Sequence, residues 1–213
     1  YNLGEEYRNC APSSSKHIRL YVLFSCNMVE ERAVVPLESN PDIFTEFAHD
    51  LGLNDNYAFV DVYSLTDRDL IGFIPRPVNA LILLFPLNKF FEASKEDTKD
   101  DGSRNKAESI DQPVWFRQTI RNACGLYGLL HSLCNNRELL SEDSKLLKFM
   151  NSHPKHDGQY SDSSTDDFVV ELSEIHADKF SLGQTVAPEA SDDVSLHFIT
   201  FIQADGKIYE LDG

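Results

Sequence analysis

Apolar and polar positions divide the chain into short periodic stretches. Phe44, Phe47, Ala48 and Leu51 recur at i, i+3, i+4 and i+7, behind Ser39-Asn40-Pro41 and ahead of Gly52. An N-cap, a proline in the first turn and a terminating glycine bracket a helix there. Tyr57–Tyr63 alternates as a short strand, and Thr66–Ile74 reads as a short helix broken by Pro75 and Pro77. Asn79–Pro86 is a continuous apolar run, the pattern of a strand buried on both faces. An amphipathic helix is predicted from about Asn122 to Asn135, with Leu126, Leu129, Leu130 and Leu133 inward. Another runs from about Glu142 to Met150. A third covers roughly Thr165–Asp178, with Phe168, Leu172 and Ile175 on one face. The polar tracts 92–112 and 151–167 predict a solvated loop and a mobile one. Phe180–Ser195 has no periodicity, and a connection of that length inside a compact domain tends to be functional. Leu196–Ile202 and Lys207–Leu211 then read as strands joined at Asp205-Gly206, a strong hairpin signal. Helices mixed with strands and a late hairpin predict an α+β or mixed α/β domain.

Composition narrows the partners. The 213 residues suffice for one domain of ordinary size, and 41% are hydrophobic. With 19 Lys+Arg against 35 Asp+Glu, the formal net charge is −16. Such a chain repels phosphate backbones and anionic membrane surfaces, so nucleic acid and lipid are excluded as expected partners and basic proteins are favoured. No apolar run reaches the ~18 residues of a membrane span. Ile18–Phe24 is short, interrupted by Arg19 and followed by no small-residue cleavage site, so it does not read as a signal peptide. Cys10, Cys26, Cys124 and Cys134 lack metal-ligand spacing and are too few for a disulfide scaffold. That predicts a reducing compartment, cytoplasmic or also nuclear, and the cysteine chemistry set out below calls for no metal and no cofactor. Residues 1–27 differ in composition from the rest and read as a foreign or disordered leader before a domain of residues 28–213.

Candidate chemistry centres on Trp115-Phe116-Arg117-Gln118-Thr119-Ile120-Arg121-Asn122-Ala123-Cys124-Gly125. Cys124 falls in the first turn of a predicted helix, where the dipole and unpaired N–H groups favour thiolate. A buried cysteine without chemistry is the commoner case. Its company argues otherwise, because Gln118 lies close enough in sequence to form an oxyanion hole with the Cys124 amide. His131 shares the helix face of Cys124, but seven residues place it ~10 Å along the axis, too far to act as base. It reads as a buried helix histidine. His197 fits better. A two-residue turn pairs Ala204 with Lys207, which puts Asp212 opposite Ile199, two places from His197 on the same face. Diagonal neighbours ~7–8 Å apart can join an imidazole to a carboxylate. A three-residue loop would break this register. The order Cys, His, Asp is that of papain-type nucleophile, base and orienter.

These blocks resemble the ubiquitin C-terminal hydrolase family, most of all its fungal members. Gln118–Gly125, Leu130–Leu133 and Asn135-Asn136 are similar to the family's nucleophile signature. Leu196–Ile199 and Tyr209–Gly213 are similar to its His and Asp motifs, Gly183–Pro188 to the loop before the His strand, and Arg32–Pro41 to its N-terminal segment. The resemblance covers about residues 32–213. It implies a papain-like core, an antiparallel sheet flanked by helices with a knotted backbone, with Cys124 as nucleophile, His197 as base, Asp212 as orienter and Gln118 in the oxyanion hole. It implies a monomeric cysteine peptidase of the ubiquitin conjugation pathway, releasing adducts from ubiquitin's C-terminal glycine, with ubiquitin or a ubiquitin-like modifier as substrate. The arginine-bearing tail of such a substrate suits the excess negative charge. The loop 180–195 is expected to cross the active site and restrict leaving groups to small adducts or short extensions. Leu126-Tyr127 stands where many members carry a threonine. The family also continues past the Asp into a further segment, a helix and a strand, so the chain is expected to be truncated. A ubiquitin-binding module without turnover is the competing expectation.

Overall fold

The computed structural model describes residues 32–87, 113–155, 160–175 and 195–213. The expectations for residues 1–27, 92–112 and 180–194 lie outside these. Helix α1, Pro41–Asp50, opens where the Asn40 side chain accepts from the Asp42 N–H at 3.0 Å, and Gly52 follows it at φ +105°. Ile43, Phe44, Phe47 and Ala48 form its buried face, and Leu51 is sealed behind it.

Residues 57–63 are no strand. In this segment α1 rather than a neighbouring strand takes up backbone groups. The Phe59 N–H donates to Thr45 Oγ1 at 2.8 Å, and the Tyr57 carbonyl lies 2.8 Å from His49 Nε2. Tyr57 and Phe59 pack on the core while Ala58 and Val60 face out, so the alternation records half-burial against a helix. Helix α2, Arg68–Gly72, is capped by Asp67, whose carboxylate accepts from Asp69 and Leu70.

Three strands form an antiparallel sheet in the order β1 (Ala80–Pro86), β2 (Leu196–Ala204) and β3 (Lys207–Leu211). The hairpin has the expected two-residue turn. Asp205 and Gly206 both take positive φ, Ala204 pairs with Lys207, and Thr200 pairs with Leu211. β1 is not buried on both faces. Ile82 and Leu84 pack inward, but Leu83 on the other face is 45% exposed. Among the described residues β1 is an edge strand, covered by a helix on one side only.

That helix is α3, Cys124–Cys134. It is central rather than amphipathic: every residue from Gly125 to Cys134 is buried. Gly128 allows close approach to β2, since a Cβ there would sit 3.3 Å from Thr200 Oγ1, and Thr200 donates to the Gly128 carbonyl at 2.9 Å. A 3₁₀ turn, Arg137–Leu139, leads to α4, Lys145–Ser152. α4 starts later than predicted because the Ser144 hydroxyl is its cap, accepting from Leu147 N–H at 2.9 Å. α5, Asp162–Ile175, starts earlier than predicted, with Thr165 Oγ1 bonded to the Ser161 carbonyl. The described part of 151–167 is therefore largely helix and helix end. Stacked rings, Phe116 on Tyr160 and Phe149 on Phe168, tie the segment before α3 to α4 and α5. No helix among the described residues is long and apolar enough to cross a membrane.

Candidate active site

Cys124 is the first residue of α3. Asn122 at φ +61° turns the chain into the helix, a conformation asparagine tolerates, and Ala123 supplies no side-chain cap. The first-turn N–H groups are thus left uncapped by a side chain beside the half-buried sulfur. The preceding residues are anchored on the N-terminal segment, where Val34 N–H donates to the Arg121 carbonyl and Arg121 N–H to that of Arg32.

His197 stands near the start of β2, paired with Phe85 of β1, whose ring meets the imidazole edge-on. Its Nε2 donates to Asp212 Oδ1 at 2.6 Å, in a pair with side chains only 15% and 19% exposed. The bond to Asp212, then the bond to Cys124, raise the imidazole to about 9. The structure therefore brings Cys124, His197 and Asp212 together. With Nε2 held by Asp212, Nδ1 is the ring nitrogen left for the sulfur.

Gln118 arrives by a different route. It lies on an extended strip, 113–118, fixed along α3: the Asn135 side chain takes the Val114 N–H at 2.7 Å and its carbonyl at 2.9 Å. The Phe116 N–H donates to His131 Nε2 at 3.0 Å. Gln118 Nε2 donates to the Ile120 carbonyl at 3.0 Å, which occupies one of its two amide protons. Gly213 lies close by, where an added Cβ would come within 3.0 Å of Gln118 Cβ.

His131 is buried and burial lowers it to about 4, so it is a neutral acceptor for the strip. Cys134 is wholly buried, and burial pushes its thiol up to about 12. Three features escaped the sequence. Trp115 Nε1 donates to the Asp212 carbonyl at 2.6 Å. Thr119 and the buried Tyr127 both hydrogen-bond Asp166 of α5, and burial foremost raises the phenol. Asn135 clamps Val114; the paired asparagines closing α3 were visible, but their partners were not. Among the described residues no cluster of His, Cys, Asp and Glu could hold a metal ion.

Comparison with known proteins follows the same outline. A family model described as ubiquitin carboxyl-terminal hydrolase, family 1, matches residues 34–213. Ubiquitin carboxyl-terminal hydrolase YUH1 of Saccharomyces cerevisiae is 46% identical over 187 residues, covering 86% of this chain and 76% of that protein. Isozyme L1 of Homo sapiens is 33% identical over 180 residues, covering 84% and 78%. The solved catalytic domain of Trichinella spiralis UCH37, bound to ubiquitin vinyl methyl ester, superposes with a TM-score of 0.58 at 22% identity, over 84% of this chain and 74% of that one. The last is a likeness of fold, a papain-like α/β arrangement.

Proposed function

The chain belongs to family 1 of the ubiquitin carboxyl-terminal hydrolases, and we propose that Cys124 is its nucleophile, His197 its base and acid, Asp212 the orienter and Gln118 an oxyanion donor. The observation that carries this reading is one imidazole held between a carboxylate 2.6 Å away and the thiol that opens a buried helix. Cys124 Sγ, its proton already lodged on His197, attacks the carbonyl carbon of ubiquitin's last glycine. The carbonyl oxygen becomes an oxyanion, received by uncapped N–H groups of the first turn of α3 and the remaining amide proton of Gln118. The C–N or C–O bond breaks as His197 returns the proton to the leaving group. Water then gives its proton to His197 and its oxygen to the thioester, which releases ubiquitin's carboxylate and the thiol. A His197 raised to about 9 is charged at neutral pH and ready to donate.

A protein substrate suits the surface as well. Val60, Tyr63, Leu70 and Phe73 line one groove, with Tyr63 80% and Phe73 83% exposed, an apolar patch of the kind macromolecules dock on. We take residues 28–213 as the catalytic domain and small adducts or short extensions as the preferred leaving groups. Free thiols at Cys124 and Cys134 suit a reducing cytoplasmic or nuclear compartment. Ubiquitin vinyl methyl ester tests the assignment. The chain should gain one ubiquitin covalently, and Cys124→Ser should gain none while still folding. Labelling that persists in Cys124→Ser refutes the nucleophile.

A further inference from the structure

We propose that Trp115 is a positioning residue for the hydrolysis, its indole N–H fixing the main chain of Asp212 and through it the orientation of His197. Asp212 lies one residue beyond the last pair of the hairpin ladder, Thr200 with Leu211, so the sheet does not itself set its carbonyl. Trp115 Nε1 donates to that carbonyl at 2.6 Å across 97 positions of sequence. The next residue follows the same track. A Cβ on Gly213 would lie 3.0 Å from Gln118 Cβ, 3.1 Å from Gln118 N and 3.2 Å from the Phe116 carbonyl. The strip 115–118 and the segment 212–213 are thus packed as one piece.

The strip in turn is registered on α3. Asn135 holds both backbone groups of Val114, His131 holds the Phe116 N–H, and Cys124 begins that helix. Trp115 therefore transmits the position of the nucleophile's helix to the carboxylate that orients the imidazole. Tryptophan suits the task because its ring is rigid and its single N–H can only donate. A small displacement of an orienting group is enough to lower a rate without touching substrate affinity. Among the described residues, the titratable groups facing His197 are Asp212, beyond β3, and Cys124, at the start of α3, while β1 presents the edge of Phe85.

Trp115→Phe keeps the aromatic ring and removes the donor. Hydrolysis of a ubiquitin C-terminal amide reporter should show kcat lowered roughly three- to ten-fold with KM unchanged, the scale of one neutral hydrogen bond felt in the transition state. In parallel, the His197 ring followed by NMR should titrate below its position near 9, toward the ordinary 6.5. A packing role alone would lower the melting temperature and leave that titration where it was. The inference rests on Cys124, His197 and Asp212 acting as a unit, and the two fail separately. A wild-type chain that resists ubiquitin vinyl methyl ester overturns the unit, whereas the ring titration still reads the clamp. Unchanged kcat, or an unmoved His197 titration, in a folded Trp115→Phe protein overturns the role of Trp115.

Discussion

Replacing Asp212 with asparagine keeps the shape of the side chain and removes its charge. His197 is raised from 6.5 to about 9, and its bond to Asp212 is the largest cause. An amide in that place can still accept a hydrogen bond, but it does not favour the imidazolium. The titration should fall most of the way back to 6.5. At pH 8 an imidazole at about 9 is roughly nine-tenths protonated, while one at 6.5 retains about 3% of its charge. The acid that protonates the leaving group is then about thirty-fold scarcer. The alkaline limb of kcat should move down by about two pH units, and the loss at pH 8 should exceed the loss at pH 6. The same shift has a sign for stability. His197 binds its proton more tightly folded than unfolded, so the pair stabilises the fold fully below pH 6.5, and this contribution fades as pH rises through about 9. Melting temperatures of the wild type should therefore fall across that window, and those of Asp212→Asn should fall less. NMR of the His197 ring with pH-resolved kinetics tests the chain of reasoning. A ring still titrating near 9 in Asp212→Asn would refute it.

Two further substitutions test the scaffold. At Gly52, φ is +105° and a Cβ would sit 2.1 Å from Ser144 Cβ and 2.8 Å from Ser144 Cα, so Gly52→Ala forces backbone apart at the cap of α4. Strained φ and overpacking together should cost about 2–5 kcal/mol, read as a lower denaturant midpoint with the remaining folded protein still active. Asn135→Ala leaves the N–H and carbonyl of the buried Val114 without the partner now 2.7 and 2.9 Å away. Stability should fall by about 2–4 kcal/mol, and kcat should fall as well because the strip bearing Trp115 and Gln118 loosens. Denaturation and steady-state kinetics on one preparation separate the two effects.

What could be read from the chain alone was what local chemistry fixes. Asn40-Pro41 and Gly52 delimit α1 because a cap, a fixed φ and a positive φ act within a few residues. Asp205-Gly206 sets a two-residue turn, and the turn fixes the register, so the meeting of His197 and Asp212 followed from counting. The segment 57–63 misled because period two reports only that alternate side chains are buried. It does not say whether the backbone bonds to a strand or, as here, to Thr45 and His49 of a helix. Gln118 was assigned by proximity in sequence, but the bond of its amide to the Ile120 carbonyl and the nearness of Gly213 required the folded strip. Asp166 gave no signal at all, since its partners Thr119 and Tyr127 are 47 and 39 positions away.

The meeting of Cys124 with His197 belongs to a third kind, set by neither a turn nor a cap but by how closely α3 lies on β2. Two glycines decide that distance. A Cβ at Gly125 would be 2.9 Å from Leu37 Cβ and 3.3 Å from the Phe198 ring, and one at Gly128 would press on Thr200. In sequence each looks like a defect, since glycine weakens a helix by about 0.8–1 kcal/mol relative to alanine. In the fold they are the surface through which the helix approaches the strand, and Phe198 is the residue next to His197. A side chain at either position would push back the helix that begins with the sulfur. The helix-weakening residues that follow Cys124 are therefore a condition for its contact with the imidazole, and they become readable only once the strand they face is known.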